Sequence, residues 1–540
     1  MIAAALVFLA TQPPGPGLDP DAMAYTGAAT SLVQRGTLRV PTGQWDRADS
    51  TSSLSLWPPG YPAALAVPME LGLTPIQSGR WIDVVSAGIT ALVVGLLVAS
   101  AAGSGAGLVA VLVIFATQAV FDVHLSVLSE PLFIALMLLT LAAMVRARDQ
   151  LWLLAILATA CVMVRYAGGA APAAVVCWTL LDSRYAFRRR VRRAVGVAIL
   201  PALALVIWFV RTARAPDRHA TPELAMYGAW GDAIAQARDT VASWLAPVLD
   251  PGTPRRIVAA VVAIAVIAFI VMAAHDTMSG ARGATRTGAR RSSRERARFG
   301  AARPELLAPL IAAASLLGAW YLVVVLASRA FVGGGIPLDW RILAPVIVLV
   351  EVMAVASIGY WWRAYHRPLH ILIGVLGAAW IIAAGVVTFN DAQWAATEGS
   401  DFASTEWRTS PLVAWIRAHG NGHPLYSNWP AALYFHAHRI ARELPDSTDT
   451  PFLREFGDSI ASQHAYVVAF DAPSPDFIPT DSLAKLFGWE RVTRVADGTV
   501  WAAHVAAPAD SIAAPPAGTP AAPPANPPAA TPAGGASRPR

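Results

Sequence analysis

Apolar runs of roughly membrane-crossing length recur along the chain, near 82–101, 105–121, 131–145, 151–165, 167–181, 194–211, 256–274, 305–327, 341–361 and 369–388, with short polar connections between them. A helix of about 20 apolar residues crosses a hydrocarbon layer of about 30 Å while satisfying its own backbone hydrogen bonds. The opening MIAAALVFLATQ is too short to cross, so it reads as a helix embedded in part or begun upstream. A cleaved signal peptide fits poorly, because no basic n-region and no small-residue cleavage pattern precede Pro13. Counting that segment, the pattern predicts a mainly α, polytopic membrane protein of about eleven helices. Beyond about residue 400 the pattern turns soluble. PLYSN, AYVVAFD and RVTRVADGTVWAAHV read as strands, the last with an Asp-Gly turn, while PLVAWIRAHG and DSLAKLFG read as helices. The expected division is a transmembrane unit over 1–395, a small C-terminal α/β unit over 396–506, and a disordered Pro/Ala-rich tail over 507–540 that has too few large apolar side chains to fold.

Composition supports the membrane class and charge adds a topology. The 540 residues are 55% hydrophobic and 14% charged, with mean hydropathy +0.49. The net charge of +6 comes almost entirely from arginine, Lys485 being the lone lysine. SRYAFRRRVRR (183–193) and ARGATRTGARRSSRERARFGAAR (281–303) are densely basic and belong in the cytoplasm by the positive-inside rule. RARDQ (146–150) and RAYHR (363–367) fall on that side too if the spans alternate. The charge is therefore a topology signal, and no nucleic-acid partner is expected. Residues 13–80, 122–130, 212–255, 329–340 and everything past about 389 go to the outer side, which for a bacterial inner membrane makes 396–540 extracytoplasmic. Cys161 and Cys177 both sit in apolar runs, without disulfide or zinc spacing.

The first outer loop, 13–80, holds two signatures. DAMAYTGAATSLVQRG has helical spacing and a natural stop at Gly36, and is expected to lie at the outer interface as an amphipathic helix. On local grounds Asp19 and Asp21 start and cap that helix. LWPPGYP joins a stiff Pro-Pro pair, a glycine that permits positive φ, and Trp57 and Tyr61 suited to the headgroup zone. Elsewhere, Glu130 could be a helix-start acid capped by Ser129. His124, Asp122 and Asp339 read as structural, and HAHR (436–439) has no acid or cysteine at ligand spacing.

An Asp four residues before a Tyr, followed by A..L...G and then PPGYP, resembles the first outer loop of the C-type glycosyltransferases, the superfamily that includes protein mannosyltransferases and the aminoarabinose transferases of lipid A. The resemblance continues in order through LSEPLF (128–133), VRYAG (164–168), WRILAP (340–345) and PLYSNWPAALYFHAHRIARELP (424–445). It implies an inverting transfer of sugar from a polyprenyl-phosphate donor to a protein, lipid or glycan acceptor on the outer side. Such a displacement needs one carboxylate base, and the departing phosphate needs no strong general acid. By this resemblance the base is Asp21, with Asp19 as the alternate because Ala22 stands where many members have a second acid. Glu130 joins the catalytic set. Arg341, Arg165 and, more weakly, Arg80 are the donor-phosphate ligands, since guanidinium pairs bidentately with phosphate and is costly in a membrane without a purpose. Tyr25, Tyr61 and Tyr166 would position substrate. No cofactor is required, and a divalent metal would be poorly held by a single acid. Membrane lipids are the remaining partners.

Two other classes fit the same composition. A secondary transporter would carry ionisable groups near the midplane, where Glu351 is the main candidate, and would show repeat symmetry between halves, which is not evident. A non-catalytic scaffold presenting residues 400–506 would not need Asp21, Arg165 and Arg341 to meet.

Overall fold

The computed structural model describes residues 1–42, 51–215, 226–228, 230–287, 303–333, 335–364, 368–445, 450–472, 474 and 477–502. The tail over 507–540 and most of the basic stretch 281–303 lie outside them, so the expectations placed there have no structural counterpart.

The apolar runs are helices. In chain order they are α1 (Ile2–Ala10), α2 (Pro20–Arg35), α3 (Gly60–Glu70), α4 (Pro75–Ala102), α5 (Ser104–Ala116), α6 (Gln118–Val123), α7 (Glu130–Arg146), α8 (Leu151–Val164), α9 (Ala170–Leu181), α10 (Phe187–Ala213), α11 (Trp230–Leu245), α12 (Thr253–Thr287), α13 (Leu307–Phe331), α14 (Trp340–Ala364) and α15 (Pro368–Glu398). Among the described residues six helices are long and apolar enough to cross a membrane. The other expected spans are shorter: the run 105–121 breaks at Thr117 into α5 and α6, and the pair 151–181 is divided by a 3-10 turn at Tyr166–Gly169. The segment 212–255, read as an outer loop, contains α11 as a 16-residue helix. The arginines of 188–193 occupy the first turns of α10 instead of a loop.

The basic ends gather at one end of the bundle. Arg184 pairs with Asp149 at 3.1 Å, Arg193 with Asp149 at 2.9 Å, Arg146 donates to Leu96 O at 2.6 Å, and Arg303 N donates to Ser100 O at 2.7 Å. α4, α7 and α14 lie in the core, whereas α12 and α15 leave most of their apolar residues exposed, as helices bathed in lipid would.

The C-terminal part adds α16 (Pro411–His419), α17 (Thr450–Ser462) and α18 (Thr480–Phe487) around five strands: β3 (Leu425–Ser427), β4 (Ala441–Glu443), β5 (Tyr466–Phe470), β6 (Glu490–Val495) and β7 (Gly498–Ala502). A two-strand ribbon, β1 (Arg39–Val40) with β2 (Ser52–Ser53), precedes them in the first loop. The sheet order is β4-β3-β5-β7-β6, with β3 parallel to both neighbours and β7 antiparallel to both of its own. The β6–β7 hairpin turns at Ala496 and Asp497, because Val495 pairs with Gly498; the expected Asp-Gly turn is shifted by one residue. Leu412, Val413, Ile416 and Leu425 are continuous with the core of the helical bundle, while Tyr426, Phe456, Ile460, Val467 and Leu483 form a second core. The sheet is thereby anchored on the same end of the bundle as the first loop.

Candidate active site

Three chain segments bring acids to one point, and two helix ends bring the arginines. Gly17 and Leu18 are held from both sides: Gly17 N donates to Leu125 O at 2.8 Å, Val127 N to Gly17 O at 2.9 Å, and Phe402 N to Leu18 O at 3.1 Å. Asp19 then caps α2, its Oδ1 accepting from Asp21 N at 2.9 Å. The helix does not lie open on an interface. Ala22, Met23, Tyr25, Thr26, Ala28 and Ala29 are buried, largely against α3 and the β1 segment, while Asp19 and Asp21 at its start stay partly exposed.

α14 begins at Trp340 and is capped by Asp339, whose Oδ1 accepts from Ile342 N at 3.0 Å. Arg341 therefore stands in the first turn, where a long side chain reaches back past the helix start. Its three kinds of nitrogen take three different carboxylates. Nε donates to Glu130, Nη2 to Asp21, and Nη1 to Asp19 at 3.2 Å. Arg165 enters from the break after α8, where its backbone is extended. The chain can fold back there because Gly168 passes Cys161 so closely that a Cβ would lie 2.1 Å from Cys161 O. Its Nη1 lies 2.6 Å from Glu130 Oε1 and donates to Ser129 Oγ at 2.9 Å.

Ser129 makes no capping bond to α7. Its hydroxyl lies 3.2 Å from Tyr25 OH and donates to Glu130 Oε2 at 3.4 Å. With one hydrogen and two lone pairs, it accepts from Tyr25 and Arg165 and passes its own proton toward Glu130. Tyr25 stands edge-on to Tyr61, with ring centroids 4.9 Å apart, and to Trp57, at 6.1 Å. Gly60 is not in a positive-φ conformation, contrary to the role expected of it. It allows close approach instead: a Cβ there would sit 2.5 Å from Met163 O. Tyr61 OH and both Asp83 carboxylate oxygens are buried without a hydrogen-bond partner among the described residues.

The cluster is graded from sealed to open. The Glu130 side chain is 1% exposed, Arg165 14%, Arg341 18%, Asp19 26% and Asp21 27%. Burial pushes the Asp19 carboxyl up to about 7, with the neighbouring Asp21 and Asp401 charges adding to burial and Arg341 opposing it. Burial likewise raises Asp401 and Asp339.

Asp21, Asp19, Glu130, Arg165, Arg341 and Tyr25 thus meet, and Tyr61 adjoins them through Tyr25. Two residues stand elsewhere. Arg80 donates to Thr11 Oγ1 at 3.2 Å and Phe8 O at 2.9 Å and lies 4.1 Å over the Phe8 ring, so its partners are α1 and the residue that caps it. Tyr166 donates to Ser55 O at 3.2 Å, accepts from Trp208 at 2.9 Å and stacks on Phe209, which ties the first loop to α10. Asp401, Ser129 as a hydroxyl relay, and Asp83 had no sequence signal beyond residue type. Three carboxylates, Asp19, Asp21 and Glu130, are turned onto Arg341; among the described residues no group of three His, Cys, Asp or Glu is placed to hold a metal ion.

No protein-family model matches the chain, and no curated protein is significantly similar to it. The chain is similar to the crystal structure of an Archaeoglobus fulgidus oligosaccharyltransferase in complex with Zn and sulfate, at 11% identity and a TM-score of 0.50, over 93% of this chain and 72% of that one. It is also similar to ArnT from Cupriavidus metallidurans in the apo state, at 16% identity and a TM-score of 0.43, over 93% and 97%. ArnT bound to undecaprenyl phosphate matches at 14% identity and a TM-score of 0.43, over 94% and 98%. These are C-type glycosyltransferases, and the likeness, carried by the first of them, is one of fold.

Proposed function

We propose that the chain is an inverting membrane glycosyltransferase that moves a sugar from a polyprenyl-phosphate donor to an acceptor on the extracytoplasmic side. The observation that carries this is the meeting of Asp21, Glu130, Arg165 and Arg341, drawn from four separate segments, at the end of the bundle opposite the basic loops. A scaffold gives no reason for that convergence.

In the proposed reaction Asp21 accepts the proton of the acceptor hydroxyl as its oxygen bonds to the anomeric carbon. The bond from that carbon to the phosphate oxygen breaks, and its electron pair leaves with the polyprenyl phosphate. That group is already an anion, so it requires charge neutralisation and no proton. Arg341 and Arg165 supply it, with Glu130 holding both guanidiniums in place. No cofactor is needed for these steps. Arg341 binds Asp21 in the resting site. A donor phosphate that competes for Arg341 would release the Asp21 carboxylate from the guanidinium. The base thus becomes active when the donor has arrived. The transmembrane unit would carry the chemistry and the C-terminal sheet, on the same outer side of a bacterial inner membrane, would bear on the acceptor, whether protein, lipid or glycan.

The direct test is transfer from a polyprenyl-phosphate sugar by Asp21→Asn in the folded membrane protein. A loss of about 10²–10⁴-fold is expected for removal of a general base. Undiminished transfer rejects Asp21 in that role.

A further inference from the structure

The five-stranded sheet has two unlike faces. Val468 of β5 and Val500 of β7 belong to the core shared with the helical bundle, while their chain neighbours Val467 and Trp501 belong to the other face and its separate core. On that second face, between β6, β7 and α18, lies a cavity of about 840 Å³, within the range of roughly 300–1,000 Å³ typical of small-ligand sites. None of the residues that line it belongs to the ion cluster.

A register shift builds one wall of this cavity. Arg491 pairs with Trp501 and Arg494 with Thr499, and the ladder is interrupted between Arg491 and Thr493. In an unbroken strand, residues at i and i+3 face opposite sides; the extra residue, Val492, brings both arginines onto the face of Trp501 and Thr499. All four of these paired residues line the cavity. Arg494 is fixed there by a two-pronged pair with Asp471, at 2.6 and 2.7 Å, and donates to Thr499 Oγ1 at 3.0 Å. α18 supplies another wall with Asp481 and Lys485, which stand at i and i+4 and so share one side of the helix.

The Trp501 indole N–H is buried without a hydrogen-bond partner among the described residues. A buried indole donor usually finds an acceptor, so this one points to a ligand that brings an oxygen. Trp489 and Phe477 add ring surface to the lining.

From these features we infer that the cavity is a carbohydrate-binding site that takes a short oligosaccharide. A sugar offers hydroxyl oxygens to Trp501, Arg491 and Lys485, hydroxyl hydrogens to Asp481, and C–H faces to the rings. A peptide added to a sheet pairs along an edge strand, whereas this cavity lies on the face. The inference concerns binding alone and does not rest on the glycosyltransferase reading.

Saturation-transfer NMR on the intact chain in nanodiscs, without lipid donor, tests it with maltotriose, cellotriose, mannotriose, chitotriose and trigalacturonic acid, and with a Ser/Thr-rich peptide as the competing ligand. The wild type is expected to bind at least one trisaccharide and not the peptide. Arg491→Ala and Lys485→Ala, at exposed side chains, and Trp501→Phe, which keeps a ring and removes the N–H, are each expected to weaken that binding by roughly tenfold. The two exposed positions are expected to leave the melting temperature unchanged, and they carry the test if Trp501→Phe folds poorly. A wild type that binds no trisaccharide, or binding that the variants leave intact, overturns the site. Binding of the peptide in place of the sugars overturns it as well. Transfer by Asp21→Asn is a separate measurement, so either reading can fail without the other.

Discussion

Arg341 donates through Nη2 to the carboxylate of Asp21, across 320 residues of sequence. The same guanidinium also takes Asp19 and Glu130, so one cation at the head of α14 organises every acid at the site.

Removing that cation leaves three carboxylates facing one another. Arg341→Ala is expected to cost about 3–5 kcal/mol, the scale of breaking a buried ion pair from one side. Arg341→Lys keeps the charge but lacks the planar fork that reaches three partners. It is expected to melt between wild type and Ala in detergent and to bind undecaprenyl phosphate more weakly than wild type. Equal melting of all three proteins would show that the ion cluster does not hold the fold.

Glu130 binds both arginines through Oε1. Glu130→Gln leaves two guanidiniums in mutual repulsion, and a stability loss of about 3 kcal/mol is expected. In transfer assays KM for the lipid donor should rise more than kcat falls, because what is lost is the placement of the phosphate ligands. A fall confined to kcat would contradict this and point to direct proton transfer by Glu130.

Asp19 provides a pH signature. Its folded pKa, raised to about 7, lies above the unfolded value near 3.9, so the folded chain favours the protonated acid. Ionised Asp19 therefore costs stability, a penalty absent below about pH 4, growing between about 4 and 7 and complete above about 7. Asp19→Asn still caps α2, since Asn is as good a cap as Asp. The melting temperature of the variant minus that of wild type should rise from pH 4 to 7 and level off above it. A difference independent of pH would show that Asp19 ionises normally.

Gly60→Ala tests the aromatic floor. The new methyl would collide with Met163 O and push Tyr61 from beneath Tyr25, for an expected loss of about 1–3 kcal/mol. An unchanged melting temperature would mean that the α3–α8 approach can relax freely.

The helical body was largely legible because hydrophobic run length and turn chemistry are local. α7, α8 and α10 lie close to their expected places, and Asp19 caps α2 as the local rules have it. α11 escaped because Trp230–Leu245 mixes polar and small residues and was read as an outer loop. The burial of α2 escaped too. Its exposed-looking composition of Ala, Thr and Tyr is suited equally to an interface and to close packing on α3 and the β1 segment, and only the neighbours choose between them.

At the site, the resemblance picked out Asp21 and Glu130, and the cost of an arginine entering a membrane segment without a partner brought forward Arg165 and Arg341. The same criterion could not separate Arg80, which spends its charge on α1, from Arg341. Nor could it show that Glu130 is shared or that Ser129 forgoes its cap. By itself the sequence determined most of the helical stretches, which ends are basic and which few charged residues are candidates for chemistry, since each depends on composition and spacing within a turn or a span. The tertiary structure alone decided who pairs with whom. Coulomb energy depends on distance and burial, and for Arg341 and Asp21 both were decided by how α2, α7 and α14 pack.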